Sequence, residues 1–576
     1  RVDGVKVTDV SHLWETMVRR FVDEYVPKEK LAGIMLTARP KDMVLYRNDE
    51  GELHITAFNN MPSGITITRT INEKYFTSQA VVSIKKELQR KYPGQTKFIF
   101  RLKNMPRASY IYVDISKNAA LEVYLPMEWE FSRGLLPLGF ELKMMYSFFI
   151  QSHLIEFIKA PFTSTHRLLS RTGLFLRGLL PDISRSTPYI PAGPDGFMDL
   201  DEFNNFLDAR ISRRVYKGSI ELLVGGEEFF THFIQSVANA RRSISIRIYI
   251  FNTDPFAMRL ADLLKRRSNE GVNVRVMLDD LNIVLNRLRT PKLLSAHHTM
   301  TSIRRYLTED SRVSVRTQAN TWMHVAHQKV IIIDDEIAYT GGMNITESQR
   351  YFWHDIMVAL RGPVVLRLQD DFNHAWAFAG TGGDFHAGIR RLSRRRPRYK
   401  GSTEGMKNIR ILYTTPSSRE ILNAQLAAIR SARKRIYITT PYFSSNAILR
   451  ELIQARQRGV DVRVIIPRDN NVAVMHTSNL IKANAMIRND IRVFMYQGMT
   501  HTKAALFDNW ACLGSGNLDN YSLNFNQEMN IAVSCEKFAK ELYTRLFAID
   551  FESSYEVTTP FEISWLSYIT NALSPM

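Results

Sequence analysis

The chain carries one short pattern twice, and that repetition limits what it can fold into. HQKVIIID begins at His327 and HTKAALFD at His501. Each copy places a histidine two residues before a lysine, then an apolar run, then an aspartate. The repetition extends upstream in the same order. ARRSISIRIYIF from Ala240 is matched by ARKRIYITTPYF from Ala432, and GVNVRVML from Gly271 by GVDVRVII from Gly459. Each half reads as strand, helix, strand, with GVxVRV as a buried strand entered from a glycine turn. Helical segments such as FAMRLADLLKRRSNE and NAILRELIQARQR lie between them. Strand and helix alternation, made twice, argues for two copies of one α/β layered unit, over 219–404 and 405–576.

At 576 residues the chain exceeds one small core and suggests two to four domains. The formal net charge of +19 favours an anionic partner: nucleic acid, an acidic membrane surface or a phosphorylated substrate. Charge alone does not choose among them. Cys512 and Cys535 are the two cysteines, which excludes a disulfide framework and a cysteine-based metal site. Both are expected as buried thiols, with a single bond between them left open. No apolar run reaches the ~18 residues of a clear transmembrane helix. The first residue is Arg1, so a preceding signal or anchor is left open as well.

Residues 1–135 read as a smaller α+β domain of unassigned role. Strand-like runs (AGIMLTA, DMVLYRN, ELHITAF, KFIFRLKN, SYIYVDI) surround the helical stretch SQAVVSIKKELQRKY. Residues 136–218 form a helical, apolar-basic segment and a Pro/Gly-rich linker. The helical part could lie in a membrane interface or pack on a core. The linker end, PAGPDGFMDLDE, imitates half an EF-hand with Asp195, Gly196, Asp199 and Glu202. Pro191 and Gly193 would stand where side-chain oxygens are needed, so calcium binding is not expected. Asp201 and Glu202 suit the first turn of the following helix. Between the repeats, seven basic residues fall between Arg390 and Lys400, a solvated joint or a patch for phosphate-rich surfaces.

The repeated motif carries the chemistry. Alternation along a strand points His327 and Lys329 to one face, and His501 and Lys503 likewise. An imidazole beside an ammonium makes a site for a phosphate oxyanion. After each motif comes a glycine-bearing turn and an asparagine: Gly341-Gly342-Met343-Asn344 and Gly514-Ser515-Gly516-Asn517. Gly342 would let backbone approach an anion, and Asn344, Asn517 and Ser515 could donate to it. An acid follows. Asp355 lies 28 residues after His327, and Glu528 lies 27 after His501. The one-residue difference equals a shortening of the second turn, so both acids keep one structural offset. Each is expected to accept a hydrogen bond from its own histidine, Asp355 from His327 and Glu528 from His501, fixing the tautomer. His324 is read as a bystander, Phe352 and Trp353 as core, and His354 as facing away from Asp355.

The paired HxKx4D segments with their G-G/S-x-N sequels resemble the phospholipase D superfamily. AYTGGMN and GSGNLDNYSLNFNQE are similar to bacterial cardiolipin synthases and related phospholipases. The resemblance spans about 219–560. Two features depart from it: Asn520-Tyr521 stands where an arginine is usual, and TESQRY where an acidic-aromatic pair is. The resemblance implies two tandem α/β/α lobes forming a pseudo-dimer. It implies a two-step displacement with His327 as nucleophile and His501 as acid/base. Lys329, Lys503, Asn344 and Asn517 would hold phosphoryl oxygens. Asp334 and Asp508 complete the motifs and join the catalytic set by resemblance. Their place at the end of an apolar strand instead favours capping a turn or pairing inside the core. No cofactor and no metal are expected, since two lysines can replace the ion. The expected partners are a phospholipid, an anionic membrane surface in the bacterial cell envelope, and an alcohol or water acceptor. A nuclease of the same superfamily and a non-enzymatic membrane-binding scaffold are the alternatives.

Overall fold

The computed structural model describes residues 190–279, 303–318, 325–392, 399–415 and 417–564, together with six strands and a few helical residues before position 190. The chain divides into two units. One is Arg1–Leu135 with Asp469–Asn471; the other is Leu136–Arg468 with Val472–Met576.

In the first unit, β1 (Met43–Arg47) and β2 (Leu53–Ala57) form an antiparallel pair. A separate antiparallel sheet contains β3 (Thr66–Asn72), β4 (Lys97–Leu102), β5 (Ser109–Asp114) and β6 (Ala120–Pro126), in the order β3-β6-β5-β4. The runs DMVLYRN, ELHITAF, KFIFRLKN and SYIYVDI hold β1, β2, β4 and β5. AGIMLTA and SQAVVSIKKELQRKY lie outside the described residues.

The second unit is built on one 16-stranded sheet. Its first half contains β7 (Val215–Val224), β8 (Ser243–Ile248), β9 (Asn273–Asp279), β10 (Ser314–Gln318), β11 (Val330–Ile333), β12 (Ile337–Gly341) and β13 (Ile356–Arg361). Its second half contains β14 (Lys407–Thr415), the short β15 (Ser418–Arg419), β16 (Arg435–Thr439), β17 (Asp461–Pro467), β18 (Arg492–Tyr496), β19 (Ala504–Phe507), β20 (Trp510–Gly514), β21 (Glu528–Ser534) and β22 (Ser554–Val557). The first lobe runs β10-β9-β8-β11-β12-β13-β7, and the second mirrors it as β14-β21-β20-β19-β16-β17-β18, with β22 on its edge. Strands β7 and β14 pair antiparallel, Gly218 opposite Lys407 and Val215 opposite Arg410, so the two lobes share a continuous sheet.

The apolar runs of the motifs explain why this sheet is covered on both faces. In β11, Ile331 and Ile333 enter one core while Val330 and Ile332 enter another. In β19, Ala505 and Phe507 face the second lobe's outer core, and Ala504 and Leu506 face the core shared by both lobes. A strand apolar on both sides can sit only between two layers. The helices Gly226–Asn239 and Pro255–Asn269 cover the first lobe's outer face. Helices Glu420–Ser431, Asn446–Gln457 and Ala473–Ile487 cover the second. Helix Pro363–Phe378 and the helical stretch Glu536–Glu552 close the shared face. Cys512 and Cys535 are both free thiols, the first buried and the second intermediate.

The segment read as a linker belongs to the second lobe. Ile190, Met198, Phe203 and Leu207 lie in its core. Asp199 caps the helix Leu200–Arg210 by accepting from the backbone N–H groups of Asp201 and Glu202. Asp195 accepts from Phe197 N–H and from the Asn509 amide. The half EF-hand therefore spends these acids on its own turn and on docking.

Asp334 and Asp508 are corrected here from catalytic to structural. Both sit in turns with left-handed backbone, φ 55° and 51°. The Asp334 carboxylate accepts from the backbone N–H groups of Arg241, Arg242 and Ser243 at 2.7, 2.7 and 2.8 Å. Asp508 accepts from Arg433, Lys434 and Arg435 at 2.9, 3.0 and 3.1 Å, and from Met198 at 2.8 Å. Each motif aspartate thus fastens the far end of its strand to the entry of the neighbouring strand. Five residues of extended chain put it roughly 16 Å from the motif lysine. Asp508→Asn replaces an acceptor oxygen by an NH2 group facing N–H donors. We expect a loss of about 2 kcal/mol or more in chemical denaturation, with turnover per folded molecule within a fewfold of wild type.

Candidate active site

The histidines lie just outside the sheet ladder. His327, Gln328 and Lys329 precede β11, and His501, Thr502 and Lys503 precede β19. At this point each chain leaves its own lobe and touches the other. Ala326 forms a parallel bridge with Gln527, and His354 with Thr500. The His327 N–H donates to the Gln527 carbonyl at 3.0 Å, and the His501 N–H donates to the His354 carbonyl at 2.7 Å. Gln527 and His354 are the residues immediately before the two acids.

This crossing overturns the expected pairing of acid with histidine. His327 Nδ1 donates to Glu528 Oε2 at 3.0 Å, and His501 Nδ1 donates to Asp355 Oδ2 at 2.7 Å. Each carboxylate therefore serves the histidine of the opposite lobe. The offset argument correctly equated the two acids with each other. It could not reveal that the bridge at Ala326–Gln527 swaps their partners. Both carboxylates are fully buried, and the histidines nearly so. A buried carboxylate without a donor would be costly, so the cross-lobe bond is strongly specified.

The four cationic or ionisable nitrogens form one electrostatic unit. Lys329 is brought down to about 7 by burial, with the Lys503 charge adding to it against the pull of Glu528. Burial brings Lys503 down to about 8 against Asp355 and Glu528. His501 falls to about 3 through burial and then the Lys503 charge. His327 is lowered by burial and by both lysines, against Glu528. Burial pushes the Glu528 carboxyl up, but the charge and hydrogen bond of His327, with Lys329 and Ser515, outweigh it and hold it below its usual range. Lysines and acids from both lobes act on one another, as they can only across a shared site. Both imidazoles are neutral at pH 7, each with Nδ1–H committed to an acid and Nε2 left as the reactive nitrogen.

The half-sites differ. The Lys503 ammonium lies 2.9 Å from Nδ1 and 3.2 Å from Nε2 of His501. Both lysines donate to their own histidine's carbonyl, Lys329 at 2.8 Å and Lys503 at 2.5 Å, but the Lys329 ammonium also stands 5.4 Å from the Tyr249 ring centre. Asn344 Oδ1 accepts from Ile250 N–H at 3.1 Å, which aims its amide by fixing its oxygen. The Asn517 amide reaches Ser522 Oγ at 3.4 Å. Two roles read from sequence change. The Ser515 hydroxyl is spent on Glu528 Oε2 at 2.6 Å rather than held for a phosphate. A Cβ at Gly342 would lie 2.3 Å from Asp355 Oδ1, so that glycine makes room for the carboxylate rather than for an anion. His324 lies outside the described residues.

Sequence reasoning missed the aromatic wall. Tyr249 meets His327 edge-on at 5.1 Å, Trp353 lies 5.3 Å from His501, and Tyr442 lies 6.2 Å from it. Trp353, read as core, is only partly buried and lines the site. Gln349 Nε2 lies 3.4 Å from His501 Nδ1. Tyrosines near the end of each repeat's first strand, in RIYIF and TPYF, were the available signal.

A protein-family model described as cardiolipin synthase, PLD-like domain matches residues 233–376 and 426–548, one stretch in each lobe. A cardiolipin synthase of Listeria monocytogenes serotype 4a (strain HCC23) is 27% identical over 374 residues, covering 62% of this chain and 75% of its own length. Cardiolipin synthase 1 of Bacillus cereus is 26% identical over 348 residues, covering 58% of this chain and 67% of its own. Among solved structures, phosphatidylserine synthase of Haemophilus influenzae Rd KW20 superposes with a TM-score of 0.50 at 14% identity, over 65% of this chain and 96% of that one. This last likeness concerns the fold. With the duplicated motif and the mirrored lobes, these matches identify the chain as a phospholipase D superfamily enzyme of the cardiolipin synthase-like kind.

Proposed function

We propose that the protein is a membrane-associated phosphatidyltransferase acting on glycerophospholipid phosphodiesters through a phosphohistidine, with an alcohol or water as acceptor. The observation that carries this reading is the crossed pair of carboxylate–imidazole bonds, which frees one nitrogen on each histidine at a single lysine-lined site. The cardiolipin synthase relatives supply the lipid substrate class.

His327 Nε2 attacks phosphorus, so a P–N bond forms as the P–O bond to the leaving group breaks. His501, which takes up a proton at Nε2 when the anionic substrate binds, gives that proton to the alkoxide, then takes one from the incoming hydroxyl. The new oxygen attacks phosphorus, the P–N bond breaks, and His327 is restored. The Lys503 ammonium against the His501 ring, 2.9 Å from Nδ1 and 3.2 Å from Nε2, favours this division of labour, because its charge makes that ring the poorer nucleophile. Negative charge grows on the phosphoryl oxygens in each transition state, where the two ammonium groups and the asparagine amides stabilise it. An arriving phosphodiester anion also offsets the Lys503 charge that depresses His501, which readies that ring to carry a proton.

Membrane association is supported by surface chemistry. Helix Gly383–Leu392 exposes Phe385, Ile389 and Leu392, at the spacing of one helical face. Its Asp384 accepts from the backbone N–H groups of Phe162 and Thr163, which brings the exposed Phe162 beside it. The basic run from Arg390 to Lys400 follows directly in sequence, which suits an anionic bilayer. Among the described residues no helix is long and apolar enough to cross a membrane.

The test is incubation with phosphatidylglycerol vesicles, phosphatidylcholine vesicles or single-stranded DNA, each with a chelator. Diphosphatidyl lipid or phosphatidic acid is expected and cut DNA is not; cleavage of DNA alone would overturn the lipid reading. His327→Ala and His501→Ala should each lower turnover by about 1,000-fold or more. A second measurement follows from the lysines. Anion binding requires both ammonium groups, and in the empty site they lose protons through about 7 and about 8. The affinity for diethyl phosphate, a monoanion throughout, should therefore fall by about 1,000-fold between pH 6 and 9. Calorimetry in buffers of different ionisation enthalpy should show proton uptake on binding near pH 7.5.

A further inference from the structure

His354 adjoins the acid that holds His501, yet the reaction as derived gives it no task. Its backbone belongs to the catalytic strand of the other lobe. The His354 N–H donates to the Met499 carbonyl at 3.0 Å, and its carbonyl accepts from His501 N–H at 2.7 Å and Thr502 Oγ1 at 3.3 Å. The ring continues across the same boundary. His354 Nε2 lies 2.9 Å from Asp550 Oδ1, and the imidazole stacks on Tyr496 at 5.0 Å and 14° between planes. The Asp550 side chain is 1% exposed, so its charge requires a cation close by.

The other lobe repeats the arrangement with different atoms. Gln527 precedes Glu528 as His354 precedes Asp355. Its amide oxygen accepts from Arg247 Nη2 at 2.8 Å and from Gln318 Nε2 at 2.6 Å, both of the first lobe. Gln318 and Tyr496 hold equivalent places. Gln318 pairs with Asp279 and Tyr496 with Pro467, each four residues past the arginine of a GVxVRV strand. The same strand position therefore receives the residue before the acid in both lobes. One joint is an amide network around the Arg247 guanidinium and the other an ion pair with a stacked ring. Recurrence in different chemistry argues that the placement matters, since core filling alone would not demand a polar group at both positions.

We propose that His354 and the buried Asp550 form a latch across the lobe boundary that positions Asp355, and through it the reactive nitrogen of His501. His354 is thus a positioning residue. Burial would lower its imidazole, but Asp550, with Asp355 behind it, outweighs burial and holds it above its ordinary value, as an ion pair needs. Loss of the imidazole would leave the Asp550 carboxylate unpaired and let the His354–Asp355 backbone drift from His501. A shift of ~1 Å there is enough to cost a large part of turnover.

The inference rests on the catalytic reading of His501, and its test is separable from the identity of the substrate. Full-length wild type, His354→Gln, Asp550→Asn and the double variant are compared in two ways. Nitrogen NMR of 15N-histidine-labelled protein reports the His501 tautomer, and steady-state kinetics use phosphatidylglycerol in mixed micelles. Each single variant should lower kcat about tenfold or more with KM within about twofold, and shift His501 from Nδ1–H to a mixture of tautomers. The double variant, which leaves no carboxylate unpaired and can bond amide to amide as Gln527 and Gln318 do, should recover most of kcat and the Nδ1–H signal. An unchanged His501 tautomer and kcat in folded single variants would overturn the latch, even with a lowered Tm. So would a double variant no better than the singles. If wild type does not turn over phosphatidylglycerol, the substrate reading fails, while the tautomer comparison still decides the latch.

Discussion

Two hydrogen bonds hold this active centre together: Glu528 with His327 and Asp355 with His501, each crossing from one lobe to the other. They fix the tautomers and bury two carboxylates. They also require both lobes to be in register before either histidine can work. Around them, the lysines are desolvated enough to titrate near neutrality, which makes their charge responsive to an arriving anion. The sheet serves these bonds. Its apolar strands anchor the segments that lead into the site, and the motif aspartates clamp the opposite strand ends.

Much of this was legible in the residues. The duplicated order of strands, the HxK pairs and the equal offset of the acids predicted two α/β lobes and pointed to titratable groups that the structure brings together. What failed was the assignment of acid to histidine. Spacing along a chain measures position within a lobe, and both pairings satisfy the same offsets. The choice is made by the Ala326–Gln527 and His354–Thr500 bridges, which are contacts between segments far apart in sequence. The aspartates of the motif misled for a related reason: a pattern written as one string ran along a strand whose two ends do different jobs. Trp353 escaped because its apolar neighbours suggest core, whereas it is only partly buried and its ring turns to His501. The Pro/Gly-rich stretch before the first lobe read as a connector. Its Phe203 and Leu207 proved to be core residues of the second lobe, a fact only the long-range packing determines.

The near-symmetry of the two halves makes their differences informative. Glycine stands beside one catalytic acid and serine beside the other, so Glu528 receives a hydroxyl hydrogen bond that Asp355 does not. Both motif lysines reach their own histidine's carbonyl, and Lys503 lies against its histidine ring as well. These are small changes in the environment of chemically identical groups. Differences of this kind are how chemically identical groups come to differ in basicity.

The seam at β7–β14 has a further meaning. Equivalent strands meet there antiparallel, which is how two identical subunits would join about a twofold axis. In such a homodimer every substitution appears twice, so the two imidazoles would be bound to remain alike. Joining both copies in one polypeptide breaks that obligation: a serine or a glutamine can be adopted on one side alone, and an initially symmetric pair of bases can drift into specialists.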